Sequence, residues 1–219
     1  RASGRNILLF NYGCHPVTGG GNREESFYNI SADYIRWIRE SAQTRHDCDV
    51  LFTLGAAGDS VPMNRGGENR EYIGTSLALG GLLGERAYLP APSPVSIDVT
   101  TESIQIESLY HGIEEKLHRA FRSRLYPKGT CTITIQFLRI GETVLVALPF
   151  EVFSTTSLNM KKRHPHAVLV SCANGYEGYL PPVHGIERGG YEVEPRSMHF
   201  VPGTEERIAA LIDRRLADF

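Results

Sequence analysis

Apolar residues recur along the chain in two distinct periods. Nearly unbroken runs of aliphatic and aromatic residues at Ile7–Tyr12, Val50–Leu54, Val144–Leu148 and Ala167–Ser171 predict short buried strands. Cys131–Leu138 alternates Thr and Gln with Ile and Phe, as a half-buried strand does. Val95, Ile97 and Val99 alternate too, as do Ile104 and Ile106, which predicts a pair of strands there. Helical spacing takes over between these runs. Ser31 is placed to cap a helix to about Ser41, with Ile30 as its staple and Ile35 and Ile38 turned inward. Helices follow over Tyr72–Arg86, despite Gly74, Gly80, Gly81 and Gly84, and over Ile113–Arg124 and Phe153–Lys162. The last helix, Glu205–Leu216 after a capping Thr204, lines Ile208, Leu211, Ile212 and Leu216 on one face. Strands and helices alternate throughout, which makes the class α/β: a mixed β-sheet core with flanking helices. No repeat, low-complexity segment or internal domain boundary interrupts residues 1–219.

Composition narrows the function. At 41% hydrophobic and 22% charged, the 219 residues are those of an ordinary folded domain. A net charge of -2 gives no electrostatic footprint for nucleic acid or an anionic membrane. Cys14, Cys48, Cys131 and Cys172 form no CxxC pair, so neither a zinc ribbon nor a dense disulfide framework is encoded. No signal-peptide pattern opens the chain, which starts RASGRNILLF, and nothing in it sets a compartment.

The unusual polar residues share a place in the pattern. His15 follows the first strand, Asp59 the strand Val50–Leu54, Glu151 the strand Val144–Leu148, and Tyr179 the strand Ala167–Ser171. In α/β sheets, ligands bind beyond the carboxyl ends of parallel strands. If these strands share one parallel sheet, the four groups converge, and imidazole, carboxylate and phenolate all suit zinc. Each also has a structural reading: a His before Pro as a hydrogen-bonder, a Glu opening a helix, a Tyr packed in a Gly-rich loop.

The ordered set NYGCHP, GAAGDSVP, LPFE, NGYEGYLP and GGYE resembles the neutral/alkaline (non-lysosomal) ceramidase family. The resemblance runs across essentially the whole chain, including a Tyr followed twelve residues later by a Tyr-Glu pair (Tyr179, then Tyr191). It implies a zinc amidase that cleaves an N-acyl bond, with a small-molecule or lipid amide as substrate. His15, Glu151 and Tyr179 match zinc ligands of the family, and Tyr191 matches a residue assisting the transition state. Tyr176 is then expected to pack beneath Tyr179. Asp59 is expected either to orient His15 or the attacking water, or to stabilise its turn.

Two departures qualify the resemblance. The family's HxH stretch, which carries a further zinc-binding His, has no counterpart before His15. The later His164-Pro165-His166 falls at the wrong point in the order and reads as surface loop. The chain therefore reads as the later part of a ceramidase-like catalytic domain, with an upstream segment of the same domain as its partner. His184 and His199 are the alternatives for a missing ligand. The second departure is Gly55, which stands where the family carries a Ser. That leaves two rivals to a ceramidase: a degenerate ceramidase-like binding module, and a metal hydrolase acting on a non-lipid substrate.

Overall fold

The computed structural model describes residues 6–19, 30–46, 48–84, 95–109, 129–194 and 196–219. The helix expected at Ile113–Arg124 lies outside them. The described chain divides into two compact units, Arg1–Leu54 with Ser60–Ser93, and Gly55–Asp59 with Pro94–Phe219.

The first unit holds strand β1 (Asn6–Tyr12), helix α1 (Tyr34–His46), strand β2 (Cys48–Leu54) and helix α2 (Gly67–Gly84). β1 and β2 pair in parallel from Asn6↔Cys48 to Tyr12↔Leu54. Tyr34, Ile38 and Ala42 of α1, Val50 of β2 and Ala78 of α2 form its core, with Leu8, Phe10 and Phe52 packed against them. α1 starts later than the sequence suggested. Asp33, not Ser31, receives the first helical amide, since Tyr34 N–H donates to Asp33 Oδ1 at 2.9 Å. Ser31 instead accepts from the Asp33 amide at 3.0 Å, and Ile30 is fully exposed rather than stapled. The glycines of α2 have a packing reason at Gly74, where a Cβ would lie 2.3 Å from the Tyr34 carbonyl oxygen.

The second unit is built on a four-stranded sheet. Its strands are β3 (Ile97–Glu107), β4 (Thr130–Ile140), β5 (Thr143–Ala147) and β7 (Ala167–Val170), in the order β3-β4-β5-β7. β3 is one continuous strand where the sequence suggested a pair, because Thr100–Ser103 keep the ladder to β4 unbroken. β3, β4 and β5 are antiparallel neighbours, and β5 and β7 are parallel. Helix α3 (Ser154–Arg163) lies between β5 and β7 in the chain, a βαβ connection. Helix α5 (Thr204–Leu216) follows the short helix α4 (Val183–Arg188). Ile133, Ile135 and Phe137 of β4, Val144 and Val146 of β5, and Leu169 of β7 form one buried cluster with Met160 of α3. The predicted stripe Ile208, Leu211, Ile212 and Leu216 of α5 closes that cluster. Each such side chain fully withdrawn from water stabilises the unit by about 1.5–3 kcal/mol.

The strands that the sequence offered as one parallel sheet are divided. β1 and β2 form one sheet, and β5 and β7 belong to another. A third, minimal sheet is the parallel pair β6 (Glu151–Val152) and β8 (Tyr179–Leu180), which the sequence did not reveal.

Candidate metal and catalytic site

In the second unit the site is built where parallel strands end. The chain leaves β5, passes Pro149 and Phe150, and enters β6 at Glu151. It leaves β7, makes a shaped loop through Tyr176, and enters β8 at Tyr179. β6 and β8 pair in parallel with Glu151 opposite Tyr179. Neighbours in a ladder point to the same face, so carboxylate and phenol are set side by side by backbone alone. The Glu151 amide donates to the Gly178 carbonyl at 2.9 Å, and the Tyr179 amide to the Ser197 carbonyl at 2.9 Å. Gly178 has φ +83, and a Cβ there would lie 2.5 Å from both the Ser197 oxygen and His199 Nδ1. Only glycine lets this turn sit so close to its neighbours.

Glu151 is buried, at 8% exposure. A buried carboxylate needs donors. Tyr176 supplies one, its hydroxyl donating to Glu151 Oε1 at 2.5 Å, and the Tyr179 hydroxyl is hydrogen-bonded to the same carboxylate. Both phenols are pushed above the ordinary tyrosine range, by burial first and then by these bonds to Glu151, and so remain protonated donors at neutral pH. The neighbouring Cys172 thiol is pushed up to about 11, by burial first and then by the Glu151 charge. Tyr176 is therefore not the packing residue the sequence suggested: its ring is half exposed and its hydroxyl is on the carboxylate. The link joins residues 25 apart in sequence, so no local pattern announces it.

Tyr191 opens a 3₁₀ turn, Tyr191–Val193, and meets Tyr179 edge to face with ring centroids 5.8 Å apart. The Arg196 guanidinium covers the Tyr191 ring at 5.0 Å and pairs with Glu194 at 2.6 Å. The spacing that singled out Tyr179 and Tyr191 thus corresponds to contact between them.

Asp59 is joined to the start of α3. Its Oδ1 accepts from the Ser154 amide at 2.7 Å and its Oδ2 from the Ser154 hydroxyl at 2.8 Å. A carboxylate there caps the helix and meets its positive end. The preceding Gly58 amide donates to the Val152 carbonyl at 2.8 Å. The GAAGD turn thus holds the backbone on both sides of Phe153, next to Glu151.

His15 belongs to the first unit. Its amide donates to the Ser60 carbonyl at 2.9 Å, and its carbonyl accepts from the Val17 amide at 2.9 Å. The preceding Cys14 carbonyl accepts from the hydroxyl of Tyr34, a fully buried residue, which fixes the NYGCHP turn to α1.

Glu151 and Tyr179 are oxygen-bearing groups on one face of one ladder, joined by a hydrogen bond, and both are of a type that can ligate a divalent cation. Among the described residues, no group of three or more His, Cys, Asp or Glu stands where it could hold a metal. The alternative ligands are placed otherwise. His199 Nδ1 lies 3.0 Å from the Glu177 carbonyl oxygen and Nε2 lies 3.2 Å from that of Arg196. His184 is exposed, on α4. His164, expected in surface loop, is partly buried and lies 3.1 Å from Asp213 Oδ1.

No family model matches the chain, and no curated protein does. Solved structures do match. Neutral ceramidase from Pseudomonas aeruginosa superposes with a TM-score of 0.70 at 14% identity, over 94% of this chain and 43% of that one. A ceramidase complexed with C2 superposes with a TM-score of 0.68 at 15% identity, over 94% of this chain and 44% of that one. The chain has a ceramidase-like α/β fold and spans less than half the length of these structures.

Proposed function

We propose that this chain is the later part of a ceramidase-like catalytic domain, and that the domain is a zinc-dependent hydrolase of N-acyl amide bonds. The observation that carries the reading is the pairing of Glu151 with Tyr179 beyond the ends of parallel strands. The likeness of fold and the ordered motifs support it. In this reading Glu151 and Tyr179 hold the metal, with His15 as the further ligand implied by the family resemblance. When bound, zinc supplies Lewis acidity, polarising an acyl carbonyl and lowering the pKa of a coordinated water to about 7.

The remaining roles belong to the chain's own groups. Tyr179 would hold the cation through its phenolic oxygen. Tyr191, in contact with the Tyr179 ring, directs its hydroxyl to the oxygen that gains charge as the carbonyl is attacked. Asp59 acts by position, since its hold on Ser154 fixes the segment that begins at Glu151. The substrate is an amide with a long or short acyl group, N-acylsphingosine among the candidates. The residue Gly55, in place of the family's Ser, favours a second reading in which the domain binds metal and substrate without turnover. Hydrolysis of N-acyl amides by the full protein, after chelation and after zinc is restored, separates the two. Zinc-dependent turnover supports the hydrolase. Stoichiometric zinc without turnover supports the binding module.

A further inference from the structure

Tyr176 is built into the loop for its hydroxyl rather than its ring. More than half of the residue is exposed, yet its tip reaches a carboxylate that is buried. The loop that carries it is shaped around unusual backbone: Cys172 and Asn174 have φ of 51 and 61, a region that non-glycine residues rarely occupy. Four hydrogen bonds hold it there, the first from the Cys172 amide to the Phe150 carbonyl at 3.0 Å. The Ala173 amide donates to the Leu148 carbonyl at 2.9 Å, the Glu177 amide to the Pro149 carbonyl at 2.6 Å, and Asn174 Nδ2 to Gln136 Oε1 at 3.2 Å. Glu151 is fixed to the same frame through the Gly178 carbonyl. Both ends of the Tyr176–Glu151 link are thus anchored to one strand-end scaffold.

Resting on the reading of Glu151 and Tyr179 as zinc ligands, we propose that Tyr176 is a positioning residue whose hydroxyl, donating to Glu151 Oε1, holds the carboxylate in the orientation in which it would face the cation. Two phenols share this carboxylate, and their proposed roles differ. Tyr179, opposite Glu151 in the ladder, would be a ligand to the cation, while the Tyr176 hydroxyl on Oε1 keeps the carboxylate in one orientation. Donors that orient a ligating carboxylate typically contribute about 10–100-fold to metal affinity or activity.

The test compares the full protein with Tyr176→Phe and Glu151→Gln. Zinc affinity is read by chelator competition, coordination by the visible absorption of the cobalt(II) form, and folding by melting of the metal-free proteins. Tyr176→Phe keeps the half-exposed ring but removes a donor from a buried carboxylate, so it is expected to remain folded and to melt about 2–12 °C below wild type. It is expected to bind zinc about 10–100-fold more weakly and to show an altered cobalt spectrum. Unchanged affinity and spectrum in Tyr176→Phe, with zinc lost from Glu151→Gln, overturns the positioning role and leaves the ligand assignment standing. Equal zinc binding by wild type and Glu151→Gln, or none by either, overturns the ligand assignment and this proposal with it.

Discussion

Replacing Gly178 by Ala tests the backbone geometry that brings Glu151 and Tyr179 together. Two separate penalties apply. Gly178 has φ +83, and a Cβ in that left-handed region costs about 1–2 kcal/mol. The added methyl also lands 2.5 Å from the Ser197 carbonyl oxygen and 2.5 Å from His199 Nδ1. The Ser197 oxygen accepts the Tyr179 amide, so it cannot retreat without straining that bond. Overpacking of this kind costs about 1–3 kcal/mol. Together the expected destabilisation is about 2–5 kcal/mol. Gly203 is the control, because it lies in the left-handed region, with φ +89 and ψ -3, and no atom lies within 4 Å of its would-be Cβ. Gly203→Ala should therefore carry the backbone penalty alone, about 1–2 kcal/mol. Thermal melting of the two variants should differ by several degrees, at about 2–4 °C per kcal/mol for a protein of this size. Equal melting temperatures would show that the turn yields freely, and the close approach at Gly178 would lose its role in placing Tyr179.

Two further outcomes follow from the site. Tyr191→Phe should lower kcat for an N-acyl amide by about 10²–10³ with KM little changed, if its hydroxyl serves only the transition state. A packing role would instead lower the melting temperature and leave specific activity intact, and steady-state kinetics beside melting curves distinguishes the two. The Cys172 thiol, raised to about 11 from an ordinary 9.0, should be alkylated at pH 8 about 10-fold more slowly than a free thiol, because the greater nucleophilicity of its thiolate offsets part of the lost thiolate fraction. Because its pKa is raised on folding, Cys172 supports the folded state fully below pH 9 and loses that contribution as pH rises through about 11. An alkylation rate that inflects near 9 in the metal-free protein would contradict the raised pKa of this thiol, which belongs to a solvent-exposed residue.

Much of the fold was legible because long elements repeat their pattern. The four apolar runs became β1, β2, β5 and β7, and the stripe on α5 lies buried as its spacing requires. Sheet membership was not legible, since an apolar run records burial and not which strand lies beside it. β6 and β8, two residues each, are too short to carry any period, yet they set Glu151 opposite Tyr179. The start of α1 was misplaced because Ser31 and Asp33 both have capping side chains, and their backbone conformation decides between them. Tyr176 could not be assigned from local sequence, because its partner lies on another strand end. Asp59 offered two readings, and its bonds to Ser154 were hidden for the same reason.

The proposal that Glu151 and Tyr179 form part of a zinc site that hydrolyses an N-acyl amide is tested most directly by turnover of such an amide by the full protein and by Glu151→Gln, each stripped of metal and then given zinc. Stripped wild type should show no turnover and recover it with about one zinc per chain, and Glu151→Gln should not recover despite a closely similar melting temperature. Turnover that survives chelation, or zinc-restored turnover in Glu151→Gln equal to wild type, would contradict it.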